Sequence, residues 1–180
     1  MLMTLSGGAG AGKTTLAEAL AATAARGRVQ VFHCDDYYFQ RPGQGVWSPD
    51  ETGELRLDVG DPKSIDLTRL TRDAGTALAG PAAVVVVEGL FARHITPQVP
   101  VPRFDIFVDL PADLRLARKI HRKCVRDGFP LDVLLRNYVS RRTAHEQHIE
   151  PLRSTCDLVV DAAVPSAELA QRIWTAIRTS

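Results

Sequence analysis

Gly7-Gly8-Ala9-Gly10-Ala11-Gly12-Lys13-Thr14 has the spacing G-x-x-x-x-G-K-T, and its reading decides the fold. Residues 2–5 ahead of it are mostly apolar and predict a short buried strand; residues 14–25 behind it predict a helix. A strand–loop–helix frame is the setting such a loop requires. Glycine lets successive backbone N–H groups turn inward around a polyphosphate, where a Cβ would block the approach. The N-terminus of the following helix adds partial positive charge at the same place. In this reading Gly8, Ala9, Gly10, Ala11, Gly12, Lys13, Thr14 and Thr15 hold ATP. Lys13 neutralises the β- and γ-phosphates, and the Thr14 hydroxyl ligates Mg²⁺.

Outward from the loop, strands and helices alternate. Residues 29–34 are β-branched and aromatic and predict a second strand. Residues 84–87 are an unbroken valine run, the pattern of a central parallel strand buried on both faces. Residues 104–110 and 158–160 predict two more strands, and residues 65–79, 112–126, 131–148 and 166–178 predict helices. Pro111 with Asp113, and Pro165 with Ser166, mark helix starts. Residues 40–61 are rich in glycine, proline and charge without a period, and read as a long loop with a short helix at most. The expected fold is α/β, a P-loop NTPase fold with three α/β/α layers around a five-stranded parallel sheet. A single domain spans residues 1–180, with a helical lid at about 115–130 and a substrate-side loop at about 37–62.

Composition narrows the class. The net charge of +1 gives no overall pull toward nucleic acid or a membrane surface. Cys34, Cys124 and Cys156 are scattered and make no C-x-x-C pair, so neither a disulfide framework nor a zinc site is expected, and a cytoplasmic location is. The longest apolar run, residues 82–87, is far too short to span a bilayer. Met1 leads directly into the first predicted strand, so no leader is expected.

In parallel α/β sheets the ligand sits at the carboxyl ends of the strands. Strand two ends in Asp35-Asp36-Tyr37-Tyr38 and strand three in Glu88-Gly89. A hydroxyl that attacks a γ-phosphate needs a carboxylate to orient it and take its proton, and Asp35 is placed for that. Glu88 is placed for the Mg²⁺ coordination shell, with Thr14 and with Asp35 close by. On the helix after strand four, Arg115, Arg118, Arg122 and Arg126 share a face flanked by Lys119 and Lys123. Either they form a solvated basic face, or they close over the site as a lid and stabilise the moving phosphoryl group, with residues 127–130 as hinge. Trp47 or Tyr37 offers an aromatic wall for an acceptor, the alternative being that Trp47 packs its own loop. His33 and His121 fall near the site. His145 and His148, one turn apart, lack a third metal ligand and suit hydrogen bonding better.

With these residues in view, the chain resembles the uridine kinase and phosphoribulokinase group of P-loop kinases, which also holds nicotinamide riboside and bacterial pantothenate kinases. The resemblance covers nearly the full length. It rests on residues 6–17, on Cys34-Asp35-Asp36-Tyr37-Tyr38, and on Asp61-Pro62-Lys63-Ser64-Ile65-Asp66. It continues in Val86-Val87-Glu88-Gly89-Leu90, in residues 109–119, and in Glu150-Pro151 before residues 156–160. The resemblance implies Asp35 as catalytic base, Glu88 as the Walker-B-like acid, and Arg118 and Arg122 as lid arginines that touch phosphate or acceptor. It implies Tyr38 beside the acceptor and an aspartate on an acceptor hydroxyl, either Asp58 or Asp61.

Two departures stand out. Only residues 67–83 separate the Asp61–Asp66 motif from the Glu88 strand, without the family's base-gripping Pro-x-Tyr-Asp hairpin, and Asp127-Gly128-Phe129 replaces its Arg-Gly-Arg. Both touch the acceptor, not the ATP half. The expectation is an ATP- and Mg²⁺-dependent kinase acting on a hydroxyl of a nucleoside-, riboside- or sugar-like metabolite, with a homodimer as a possible assembly. The alternatives are a P-loop ATPase or nucleotide-dependent switch acting on a macromolecular partner, and an idle nucleotide-binding scaffold. No Asn-Lys-x-Asp segment is present to read guanine.

Overall fold

All five side chains of β1 (Leu2–Ser6) are buried, as they must be in a strand covered on both faces. The computed structural model describes residues 1–24, 28–49 and 53–179. Ala25, the last residue of the first predicted helix, and residues 50–52 of the substrate-side loop lie outside the described residues. β1 pairs in parallel with Val84–Glu88 on one side and Arg103–Asp109 on the other. Val29–His33 (β2) lies outside the former and Leu158–Asp161 outside the latter. With β3 (Trp47–Pro49) and β4 (Leu55–Leu57) set apart as a two-stranded ribbon, these three are β5, β6 and β7, and the sheet order is β2-β5-β1-β6-β7. The register sets His33 opposite Glu88 and Glu88 opposite Leu5, so three strands end level with one another.

The period of two along each strand makes two cores. Met3, Leu5, Val86, Ile106 and Val108 face α1 (Lys13–Thr23) and α6 (Ser166–Thr179). Leu2, Val85, Val87 and Phe107 face α2 (Leu67–Leu78) and the Phe91–Ile95 segment. Each large aliphatic side chain so buried contributes about 1.5–3 kcal/mol. This is the three-layer α/β/α arrangement with a five-stranded parallel sheet that the strand–helix alternation predicts.

One charged group enters the second core. Asp105, buried on β6, accepts from Thr4 Oγ1 at 2.6 Å, Arg93 Nε at 3.0 Å and Arg103 Nε at 2.8 Å. Removing the carboxylate strands two guanidinium groups and a hydroxyl. Asp105→Ala is therefore expected to lower stability by about 3 kcal/mol, read from urea unfolding midpoints.

Three elements differ from the sequence expectation. The helix predicted over 131–148 is two helices, α4 (Leu131–Arg136) and α5 (Tyr138–His148). Asn137 stands at the break, and its Nδ2 donates back to Val133 O at 2.9 Å, the local bond by which asparagine competes with a continuing helix. The helix predicted over 112–126 runs as α3 (Ala112–Ile120) and then widens over His121–Arg126, where Asp127 N reaches Arg122 O five residues back at 3.1 Å. Such widened turns recur at functional sites. Finally, the loop over 40–61 contains the β3–β4 ribbon, with Trp47 opposite Leu57 and Pro49 opposite Leu55. It is fastened by Asp58 N to Val46 O at 2.8 Å and Val46 N to Ser64 Oγ at 3.2 Å. Strands of three residues are too short to leave a legible alternation.

Candidate active site

The carboxyl ends of β1, β2, β5 and β6 open into a cleft of about 1480 Å³, roofed by α3, α5 and the β3–β4 ribbon. The Gly7–Thr14 loop forms one end. Gly10 has φ +87°, and a Cβ there would stand 2.7 Å from Arg115 O, so only glycine fits. Gly12, at φ +98°, ends the loop and starts α1, whose N-terminus faces the cleft with Thr14 and Thr15 in its wall.

Lys13 is buried, and its Nζ donates to Gly8 O at 3.0 Å, so the ammonium is folded back over the loop. Burial lowers its pKa from the ordinary lysine value, and the Glu88 and Asp35 carboxylates oppose that shift. Thr14 Oγ1 donates to Glu88 Oε1 at 3.0 Å, and His33 Nδ1 lies 2.8 Å from the same oxygen. Glu88 is itself buried, held at the end of β5 by the strand register. Asp35 sits in the short turn Cys34–Tyr37 that follows β2. Its carboxyl is exposed within the cleft and raised above the usual carboxylate range by desolvation and by Glu88, with Lys13 and Arg122 acting the other way. Behind it the Cys34 thiol is pushed up to about 12, by burial first and then by Glu88 and Asp35. It stays protonated and offers no nucleophile.

Most of the residues singled out from the sequence line this cleft: the loop from Ala9 to Thr15, Asp35, Tyr38, Glu88, Arg118 and Arg122. Arg118 bridges the phosphate loop and the segment after β7, with Nη1 3.4 Å from Ala11 O and Nη2 3.1 Å from Ala162 O. Arg115 packs on Gly8 and bonds Leu110 O at 2.9 Å, a support of the loop from beneath. Tyr38 closes the side of the cleft, its hydroxyl donating to Val59 O at 2.9 Å. Asp58 accepts from Gly60 N at 2.9 Å, directly behind the cleft wall. Asp61 caps the Pro62–Ser64 turn, accepting from Lys63 N at 2.8 Å.

Other expectations separate. Trp47 lines the cleft, but Tyr37 is buried in the core with its hydroxyl 3.2 Å from Asp73 Oδ2, and so makes no acceptor wall. His33 serves Glu88, while His121 is exposed outside the cleft lining. His145 is a hydrogen-bonding residue, 3.2 Å from both Arg115 Nη2 and Glu150 Oε2. Lys119 and Lys123, read as flanking the arginine face, line the cleft too; the sequence reading missed Arg141 on α5 and the segment from Ala162 to Ser166 after β7. The last was findable, since the strand-end rule applied to β7 points there. Arg141 had no such signal, lying in a predicted helix far along the chain.

Comparison with known proteins agrees with this geometry. A sequence model of the phosphoribulokinase/uridine kinase family matches residues 61–170. A uridine kinase of Staphylococcus epidermidis is 27% identical over 178 residues, covering 87% of this chain and 84% of that protein. One of Deinococcus deserti is 27% identical over 175 residues, with 87% and 84% covered. Among solved structures, a shikimate kinase from Acinetobacter baumannii in complex with shikimate superposes with a TM-score of 0.58 at 22% identity, covering 99% of this chain and 93% of that one, a likeness of fold. A family match over more than half of the chain, joined to a phosphate loop set in the expected frame, places this protein in the phosphoribulokinase/uridine kinase family of small-molecule P-loop kinases.

Proposed function

We propose that this kinase transfers the γ-phosphate of ATP to a hydroxyl of a nucleoside-, riboside- or sugar-like metabolite, with Asp35 as the base. The observation that carries the reading is the meeting of Asp35, Lys13 and Glu88 at level strand ends in one open cleft. Asp35 would accept the acceptor's proton as its oxygen attacks, and its raised pKa brings it nearer to neutrality, where a general base is most effective. Lys13, Arg118 and Arg122 would stabilise charge on the moving phosphoryl oxygens. Thr14 Oγ1 and Glu88 Oε1, 3.0 Å apart, are hard oxygen donors of the kind magnesium accepts beside phosphate oxygens and water. Held there, a magnesium ion would neutralise charge on the β- and γ-phosphates. His33, on the same Glu88 oxygen, fixes that carboxylate from behind.

Trp47, Phe39 and Leu55 give the cleft apolar surfaces suited to a ring or sugar face, and Tyr38 and Arg122 share the lining. Asp58 and Asp61 each accept a backbone N–H of their own turn; Asp58, whose charge acts on Tyr38 in the cleft wall, is our candidate for the acceptor hydroxyl. The free thiols of Cys34, Cys124 and Cys156 support a reducing, cytoplasmic setting. The named relatives are uridine kinases, which makes uridine the first acceptor to try.

A coupled ADP-release screen over metabolite alcohols tests the reading. ADP release is expected to depend on the alcohol supplied. ATP hydrolysis that ignores every alcohol and rises with a macromolecule would instead identify an ATPase or switch.

A further inference from the structure

Past Asp35 the cleft wall carries positive charge that no carboxylate pairs with in a salt bridge among the described residues. Lys119 and Arg122 stand three residues apart on α3 and its widened continuation, and so share a face. Arg141 projects from α5 one turn before Ala144, the residue a Cβ on Gly60 would approach to 3.0 Å, so this face of α5 turns toward the substrate-side loop. All three line the cleft, and none makes a salt bridge among the described residues. The carboxylates nearest on α5 and just after it are already engaged: Glu146 with Arg142 at 2.8 Å and Glu150 with His145 at 3.2 Å.

Arg122 joins this cluster to the phosphoryl-transfer end, while Arg141 stands on the face of α5 turned toward the substrate-side loop. The side chains that act most strongly on Lys13 are Glu88, Asp35, Cys34 and Arg115. Those acting on Lys119 are Arg141, Arg122 and Lys123, all cations; burial first, and then these, lower its pKa. Asp35 is the link between the two ends, felt by Lys13 and facing Arg122. Tyr38, in the same lining, is acted on by both Asp35 and Arg141. Like charges held together without a counterion cost free energy unless a ligand supplies the opposite charge. Arginine in particular offers a planar fork matched to carboxylate and phosphate oxygens.

We infer that the acceptor alcohol itself carries an anionic group, a carboxylate or a phosphate ester, seated on Lys119 and Arg141 while its hydroxyl meets Asp35. This deepens the kinase reading above and rests on it. The protein, saturated with a non-hydrolysable ATP analogue and Mg²⁺, is titrated calorimetrically with matched alcohols: ribose against ribose 5-phosphate, and glycerol against glycerate and glycerol 3-phosphate. An anionic member is expected to bind at least about tenfold tighter than its neutral partner, and the glycerate and phosphate arms tell the two anions apart. Arg141→Met is expected to weaken that binding by roughly 10- to 100-fold, the worth of a charge-assisted hydrogen bond, with Arg141→Lys restoring part of it. The analogue's own Kd, measured without acceptor, is expected to stay unchanged.

Equal binding of neutral and anionic members, no binding by any anionic member, or a loss in R141M confined to the ATP analogue would each overturn the inference. ADP release on the same pairs separates it from the kinase reading. Alcohol-dependent release indifferent to acceptor charge overturns the anion site and leaves the kinase. Arg141-dependent anion binding with no release from any alcohol overturns the kinase and leaves the anion site.

Discussion

Asp35→Asn is expected to lower kcat by about 10³-fold while the dissociation constant for ATP changes little. The amide keeps the shape and the turn after β2 but cannot take a proton. ATP is held by groups on the loop and α1, so its affinity has no reason to follow. A general base contributes 10²- to 10⁴-fold, and among the described carboxylates that line the cleft Glu88 is bonded to Thr14 and His33, Glu146 is paired with Arg142 and Glu150 with His145, which leaves Asp35.

The same variant carries a stability signature. The folded state raises the Asp35 pKa, by desolvation and then by Glu88, so the fold disfavours the ionised carboxylate. That cost is present above the raised pKa and vanishes as pH falls toward the ordinary carboxylate value, where folded and unfolded chains both hold the proton. In the absence of nucleotide, D35N should melt at or above the wild-type temperature at neutral pH, and the difference should close on acidification. Turnover near wild type would place the base elsewhere. Early melting at neutral pH would make Asp35 a structural residue.

How far the sequence reaches depends on how local the signal is. The phosphate loop, the valine strand and the aspartate after β2 are each written in a few adjacent residues, and the parallel topology then carries their ends to one place. Glu88 was legible because it closes a strand whose burial is obvious from Val84–Val87. The β3–β4 ribbon was not, because strands of three residues beside glycine and proline have no period to detect. Nor was the break at Asn137, where one side-chain bond outweighs a helical pattern that runs on past it. Tyr37 and Tyr38 show the limit most sharply. They are adjacent and chemically alike, yet one faces the core and the other the cleft, a choice made by the short turn at Cys34–Tyr37 and by the pairing of Tyr38 with Ile65. Arg141 reaches the cleft only because α5 folds back over it, a tertiary fact with no sequence mark.

Lys13→Met should separate activity from stability more widely still. With the ammonium gone, the loop keeps only its backbone N–H groups and the partial charge of the α1 N-terminus to offset the charge that collects on the phosphoryl oxygens, and turnover is expected to fall by about 10²- to 10³-fold. The loss should be larger in kcat/KM than in ATP affinity, because the interaction strengthens as charge develops. Without nucleotide the balance reverses. Burial holds the Lys13 pKa below 10.5 despite Glu88 and Asp35, so protonated Lys13 is less stable in the fold than in water. The unfolded chain binds its proton more tightly, and wild-type stability therefore rises as pH climbs from the folded pKa toward 10.5. K13M has no such proton. Thermal melts of the nucleotide-free proteins should find K13M at or above wild type near neutrality, with the gap narrowing at alkaline pH. Addition of Mg²⁺ and an ATP analogue should invert the order, because ligand bound only to the folded state stabilises in proportion to its affinity. A K13M protein that melts early in the absence of nucleotide would mean that the bond from Nζ to Gly8 O holds the loop together, and that the ammonium is a strut of the fold before it is a partner of phosphate.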